Sequence, residues 1–185
     1  MIFRGTGTAV ITPFREGKVD YESFERFLAF QMDGGVDFFV VLGTTGEAPA
    51  VTMKEREEII RFAVKMGSGR IPVVIGTGSN STAVALELSK QAVSLGADGV
   101  LVVTPYYNKP PQEGLYQHFR AVASGIGDTP LIIYNVPGRT GINILPETVL
   151  RLAEIDNIAG IKEASGDEAQ VDFLIRKVRK QRPDF

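Results

Sequence analysis

Lys162 stands between Ile161 and Glu163 in the apolar run Ile158–Ala164, where a buried strand would otherwise carry valine. An ammonium in that setting loses hydration, and burial favours the neutral amine. A neutral lysine is a nucleophile toward carbonyl compounds, which it captures as a Schiff base. Taken alone, a lysine that ends a strand and snorkels to water is the simpler reading. Three further features reverse that preference. Gly43-Thr44-Thr45-Gly46 combines hydroxyls with accessible backbone amides beside a helix start, a turn able to bind a small carboxylate. Glycines serving a tight turn would account for Gly43 and Gly46 but not for the paired threonines. Tyr134 closes the run Leu131-Ile132-Ile133, so its phenol should emerge at the strand end and can shuttle protons to a developing alkoxide or carbinolamine. Arg139, in the loop Pro137-Gly138-Arg139-Thr140-Gly141, can present a planar fork to a carboxylate. Each has an ordinary structural explanation by itself, a core aromatic or a solvated loop arginine. Together they suit a Schiff-base aldolase acting on two small anions.

The elements that must position these residues follow from hydrophobic periodicity. Strands are expected at Thr8–Thr12, Phe38–Leu42, Pro72–Gly76, Gly99–Thr104, Leu131–Asn135 and Ile158–Ala164. They are short, rich in valine and isoleucine, and mostly continuous rather than alternating, the pattern of a parallel sheet covered on both faces. Helical patterns lie at Tyr21–Asp33, Met53–Met66, Thr82–Leu95, Gln112–Ile126, Pro146–Glu154 and Asp167–Arg182. Thr52 with Glu55, and Ser165 with Glu168, have capping-box spacing. Pro146 suits a first helical position, and Gly34, Gly67 and Gly96 suit helix ends.

Six βα units in succession predict either a doubly wound sheet or a (β/α)8 barrel. Gly76-Thr77-Gly78 is the nearest approach to a dinucleotide-binding turn, but Ser81 occupies the third glycine position. A phosphate-binding P-loop is missing too, since Gly46 is not followed by lysine and a hydroxyl residue. The barrel is favoured because hydroxyls, glycines and one lysine gather at the C-terminal ends of the strands, where barrels carry their reactive groups. The expected fold is thus α/β, a TIM barrel of which residues 1–185 supply about the first six units as a single domain.

Composition narrows the function. A formal net charge of −2 argues against a nucleic-acid partner. The absence of cysteine excludes disulfide and thiolate chemistry, and a single histidine, His118, makes an ordinary zinc site improbable. No apolar run approaches the roughly 20 residues of a membrane span, and Met1–Gly7 has no signal-peptide pattern, so no membrane association is expected and the cytoplasm is the expected compartment. The basic cluster Arg176, Lys177, Arg179, Lys180 and Arg182 is read as complementing a helix dipole.

Gly43–Glu47, Thr104–Pro110, Tyr134–Gly141 and Gly160–Ala164 together resemble the dihydrodipicolinate synthase family of bacterial lysine biosynthesis, and the likeness runs from Phe3 to Phe185. Its most specific parts are Thr-Pro-Tyr-Tyr-Asn-Lys-Pro and Tyr-Asn-Val-Pro-Gly-Arg-Thr-Gly. The resemblance implies that Lys162 forms an imine with pyruvate. It implies a proton relay of Tyr134, Thr44 and Tyr107, with Tyr107 reaching into a neighbouring subunit of a homo-oligomer (dimer or tetramer). Thr45 and the adjacent amides, including Gly46, would hold the pyruvate carboxylate, and Arg139 that of L-aspartate 4-semialdehyde. No metal or organic cofactor is implied. A sialic-acid or keto-sugar-acid lyase of the same superfamily is the alternative reading, and a non-catalytic barrel fragment acting in assembly is the alternative of another class. Arg139 speaks against the first, because those relatives must accommodate a polyol and lack an arginine there.

The resemblance also bears on regulation. Asn80 and Tyr106 match the site where lysine-inhibited relatives bind lysine, whereas Val84 replaces an expected glutamate and Arg56 an expected histidine. Losing an anion and gaining a cation implies insensitivity to lysine. Eight strands and about 250 residues are usual for this barrel, so the six units are expected to belong to a longer polypeptide. Alone, they are expected to leave Lys162 on a wetted edge, to self-associate and to show little synthase activity.

Overall fold

The structure, a computed structural model, describes residues 3–185. It divides into two compact units, the first made of Phe3–Gly76 and Gln91–Val100 and the second of Thr77–Lys90 and Leu101–Phe185.

In the first unit, β1 (Gly7–Ala9), β4 (Phe38–Val41) and β5 (Val73–Gly76) pair in parallel, with Ala9 beside Val40 and Val41 beside Ile75. Strands β4 and β5 pack against α2 (Met53–Gly67), which in turn packs on α1 (Tyr21–Asp33), and Phe24, Leu28, Ile59, Ile60 and Ala63 of these two helices are inaccessible to solvent. Burying each of the large side chains contributes roughly 1.5–3 kcal/mol. The capping box of α2 forms: Glu55 N donates to Thr52 Oγ1 at 3.2 Å, and Thr52 N donates to the Glu55 carboxylate at 2.9 Å. A hairpin of β2 (Phe14–Arg15) and β3 (Lys18–Val19) was not legible, because its strands are two residues long and its turn uses Glu16-Gly17, both at positive φ. The dinucleotide-like glycines serve packing. A Cβ on Gly76 would collide with the Leu42 carbonyl, and one on Gly78 with the backbone of Val103.

In the second unit β7 (Leu131–Asn135) pairs in parallel with β8 (Ile158–Glu163), while α4 (Gln112–Ser124) and α7 (Glu168–Gln181) both pack on α6 (Pro146–Leu152). Helix α3 (Thr82–Ser94) and strand β6 (Gly99–Val103) each have residues in both units. Two sequence expectations are corrected here. Helix α7 is capped by Asp167, whose carboxylate accepts from Gln170 N at 3.0 Å, rather than by a Ser165–Glu168 box. Gly166 at φ 78° delays the helix, and Ser165 instead accepts from Asp167 N. Arg182, read as one of several dipole-compensating cations, has a more definite task. Its guanidinium donates to the carbonyls of Ala153, Ile155, Asp156 and Ile158, fastening the end of α7 to the turn that leads into β8. Among the described residues no helix is long and apolar enough to cross a membrane.

His118 on α4 is 3% exposed, with Nδ1 2.9 Å from Thr82 Oγ1 and its ring edge-on to Phe119. Burial lowers its pKa from 6.5 to about 4. The unfolded chain therefore takes up the proton first, so the stability from burying a neutral imidazole is complete above about pH 6.5 and is lost as pH falls to about 4. The loss should amount to about 3 kcal/mol. Urea titrations across this range should show a steeper acid decline for wild type than for His118→Gln; parallel curves would contradict the assignment.

Candidate active site

β8 carries Lys162, and its register against β7 decides what the lysine meets. Leu131 pairs with Ile158, but Ile132 pairs with Gly160, so the ladder passes over Ala159. From there Ile133 faces Ile161, Tyr134 faces Lys162 and Asn135 faces Glu163. Were Ala159 paired with Ile132 instead of passed over, Tyr134 would oppose Ile161, and Lys162 would turn to the other face of the sheet. With Ala159 passed over, Lys162 Nζ lies over the Tyr134 ring, 4.6 Å from its centroid. Tyr134 is 7% exposed, so its residue is buried rather than standing open at the strand end. Lys162 is exposed, as expected for six units alone, because among the described residues β8 has a strand partner, β7, on one side only.

Arg139 does not sit in a loop. Pro137–Thr140 forms one helical turn, α5, begun by proline and closed by Gly141 at φ 74°, whose N–H donates to Pro137 O. Arg139 is exposed on it, while Thr140 is buried and donates to Ile142 O at 2.9 Å. Four residues are too few for periodicity to reveal, although Pro137 and Gly141 are helix brackets. Tyr107 is 87% exposed and held at φ 72°. Its N–H reaches Thr140 O at 3.4 Å, and the neighbouring Asn108 donates to Asn80 O at 3.1 Å. A non-glycine residue in this left-handed region is strained and persists where surrounding contacts impose it. Tyr107 thus projects from an anchored loop.

The threonine turn lies in the first unit. Thr44 and Thr45 are exposed. Gly46 is buried; its N–H donates to Gly43 O and its carbonyl accepts from Thr12 Oγ1 at 2.6 Å. The expectation that Gly46 offers its amide to a ligand is corrected on that ground, since the donor is engaged within the turn. A Cβ there would stand 3.0 Å from Val10 O, so Gly46 allows a close backbone approach. After the turn comes a 3-10 turn at Ala48–Ala50, not a helix start. Arg56, read as facing a regulatory cleft, is 5% exposed and donates from Nη2 to Gly76 O at 2.6 Å. Burial pushes its pKa down to about 10. Val84 is 43% exposed.

The model of the dihydrodipicolinate synthetase family matches residues 2–184. The chain belongs to that family. It is 65% identical over 184 residues to the 4-hydroxy-tetrahydrodipicolinate synthase of Kosmotoga olearia, covering 100% of this chain and 62% of that protein. It is 53% identical over 185 residues to the enzyme of the same name from Thermotoga neapolitana, covering 63% of it. The crystal structure of dihydrodipicolinate synthase from Thermotoga maritima superposes with a TM-score of 0.97 at 50% identity, over 100% of this chain and 63% of that one. The chain therefore has the α/β fold of the family's barrels, in part, and spans about 62% of the length of these relatives.

The register gives a test of its own. Deleting Ala159 is expected to take out the residue that the ladder passes over while keeping Ile132 beside Gly160 and Tyr134 opposite Lys162. In a folded variant the nuclear Overhauser contacts between Tyr134 ring protons and the Lys162 side chain should persist; their loss would show that Ala159 is not the unpaired residue of the irregularity.

Proposed function

We propose that the protein of which these residues form part is a 4-hydroxy-tetrahydrodipicolinate synthase, condensing pyruvate with L-aspartate 4-semialdehyde. The observation that carries this reading is Lys162 set against Tyr134 at the ends of paired strands in a chain of this family. The Lys162 amine would attack the pyruvate keto carbon, and loss of water would give the imine. Loss of a methyl proton gives an enamine, whose carbon adds to the aldehyde. The amine of the second substrate then attacks the imine carbon, closing the ring and releasing Lys162.

Tyr134, Thr44 and Tyr107 would pass the protons of these steps. Tyr107, exposed on its strained loop, would act in the site of a neighbouring subunit of a homo-oligomer. Thr45 would hold the pyruvate carboxylate through its hydroxyl and the turn's amides, with Gly46 shaping the turn. Arg139, exposed and at the end of a short helix, would clamp the carboxylate of the aldehyde. The reaction as written needs no redox or electrophilic cofactor, and its setting would be cytoplasmic.

Borohydride reduction in the presence of pyruvate is expected to leave an adduct on the peptide containing Lys162; an adduct on a different lysine would move the nucleophile elsewhere. Arg139→Ala is expected to lower kcat/KM for the aldehyde about thirtyfold, or roughly 2 kcal/mol, while pyruvate trapping stays close to wild type. Equal damage to both steps would mean that Arg139 organises the whole site rather than one substrate.

A further inference from the structure

Beside Lys162, the Glu163 carboxylate is surrounded by neutral donors. Asn135 Nδ2 lies 3.0 and 2.9 Å from its two oxygens, Gln170 Nε2 lies 2.8 Å from Oε2, and Ser165 N lies 2.6 Å from Oε1. Asn135 is fully buried and Gln170 is 7% exposed. Because both carboxamides turn their NH2 groups to the carboxylate, their oxygens must face elsewhere. Asn135 Oδ1 accepts from Ile144 N at 3.2 Å, and Gln170 Oε1 accepts from Asn143 Nδ2 at 2.8 Å. Asn143 Oδ1 in turn accepts from Asn135 at 2.7 Å and from Gln170 at 3.1 Å. Gln112 at the start of α4 holds the Asn143 carbonyl at 2.9 Å.

This cluster touches both functional segments of the second unit. Asn135 and Asn143 bracket α5, the turn that bears Arg139. Glu163 follows Lys162 on β8, and successive strand residues point to opposite faces. Holding Glu163 on one face therefore fixes the lysine on the other, and a fully satisfied buried network resists rearrangement. Resting on the Schiff-base reading above, we propose that Glu163, Asn135, Asn143 and Gln170 are positioning residues that hold the Lys162 amine and the Arg139 guanidinium in one mutual arrangement. None of the four touches substrate in this role.

The test replaces Gln170 in the purified protein. In Gln170→Glu, a protonated side chain donates to Glu163 as the amide does, whereas an ionised one sets two carboxylates against each other. Asp167, which caps α7, and Glu168 in its first turn are common to both proteins and cancel in a ratio. Borohydride trapping of pyruvate on Lys162 is followed from about pH 5.5 to about pH 8.5 and expressed as variant over wild type. The ratio is expected to be near one at the acid end and to fall about tenfold or more at the alkaline end, with Gln170→Leu low throughout. Amide exchange at Ile144 and Ser165 is measured on the same samples and should quicken at both positions together in alkaline Gln170→Glu. If that variant does not fold, Asn143→Asp sets a carboxylate against Gln170 Oε1 and gives the same expectations.

A flat ratio in a folded variant overturns the proposal, whatever the exchange shows, and leaves the Schiff-base reading standing. If wild type yields no adduct at Lys162, that reading falls instead. The exchange then decides the cluster: joint quickening at Ile144 and Ser165 supports it, and independent or unchanged exchange overturns it.

Discussion

The pairing of Tyr134 with Lys162 depends on one residue of register. β7 and β8 begin in step at Leu131 and Ile158, and the passage over Ala159 shifts every later pair by one position. A one-residue shift inverts the faces of all residues beyond it. Lys162 and Glu163 therefore exchange sides relative to an unbroken ladder, the amine turning to the tyrosine ring and the carboxylate to the carboxamides of Asn135 and Gln170. The irregularity and the polar cluster reinforce each other. Slipping back would take Glu163 from three donor groups and leave the buried Asn135 and Gln170 amides each short of one acceptor, with Asn143 Oδ1 still between them; each unsatisfied buried donor costs about 1–3 kcal/mol.

The two buried cation-forming groups outside the site are handled differently. His118 resolves its burial by remaining neutral, with one nitrogen joined to Thr82. Arg56 cannot do so at ordinary pH, since even its lowered pKa is about 10. It donates to the Gly76 carbonyl instead, at the end of a strand where glycine is required by the nearby Leu42 carbonyl. The charge expected to repel a cationic regulator is thus engaged with the strand end. Any effect on such a ligand would come from a held guanidinium rather than a mobile side chain.

The strands were legible as short continuous apolar runs, and the long helices by the period that burial of one face imposes. Tyr21–Asp33 was bounded to the residue, since Asp20 caps it and Gly34 ends it. What escaped was short or set by single contacts. The hairpin at Phe14–Val19 and the turn at Pro137–Thr140 have no room for periodicity. Asp167 displaced Ser165 as a cap because Gly166 turns the chain first, and a capping box read from spacing does not include that turn. Site residues were recognisable by type and by position at strand ends. The apolar neighbours of Lys162 suggest burial, but the count of six units already places it on an open edge, because burial depends on what lies across the strand edge; the surroundings of the other site residues were not legible. Glu163, Asn135, Asn143 and Gln170 are ordinary polar residues when seen singly, and only the fold reveals that their donors and acceptors match.

Lys162 lies over the face of Tyr134, and an ammonium in that position is attracted to the ring by about 0.5–1 kcal/mol at an exposed site. That attraction acts on the protonated group, whereas attack on a carbonyl requires the free lone pair. The Tyr134 ring is therefore suited to holding the side chain in place before reaction, and some other group must take the proton. In the proposed chemistry that duty falls to the phenol relay, so position and proton transfer are divided between the face of Tyr134 and its hydroxyl. In the proposed chemistry the Lys162 amine gains from orientation, which can supply several kcal/mol when reacting atoms are held at attacking distance. The rigid carboxamide cluster under Glu163 is the part of this chain built to provide it.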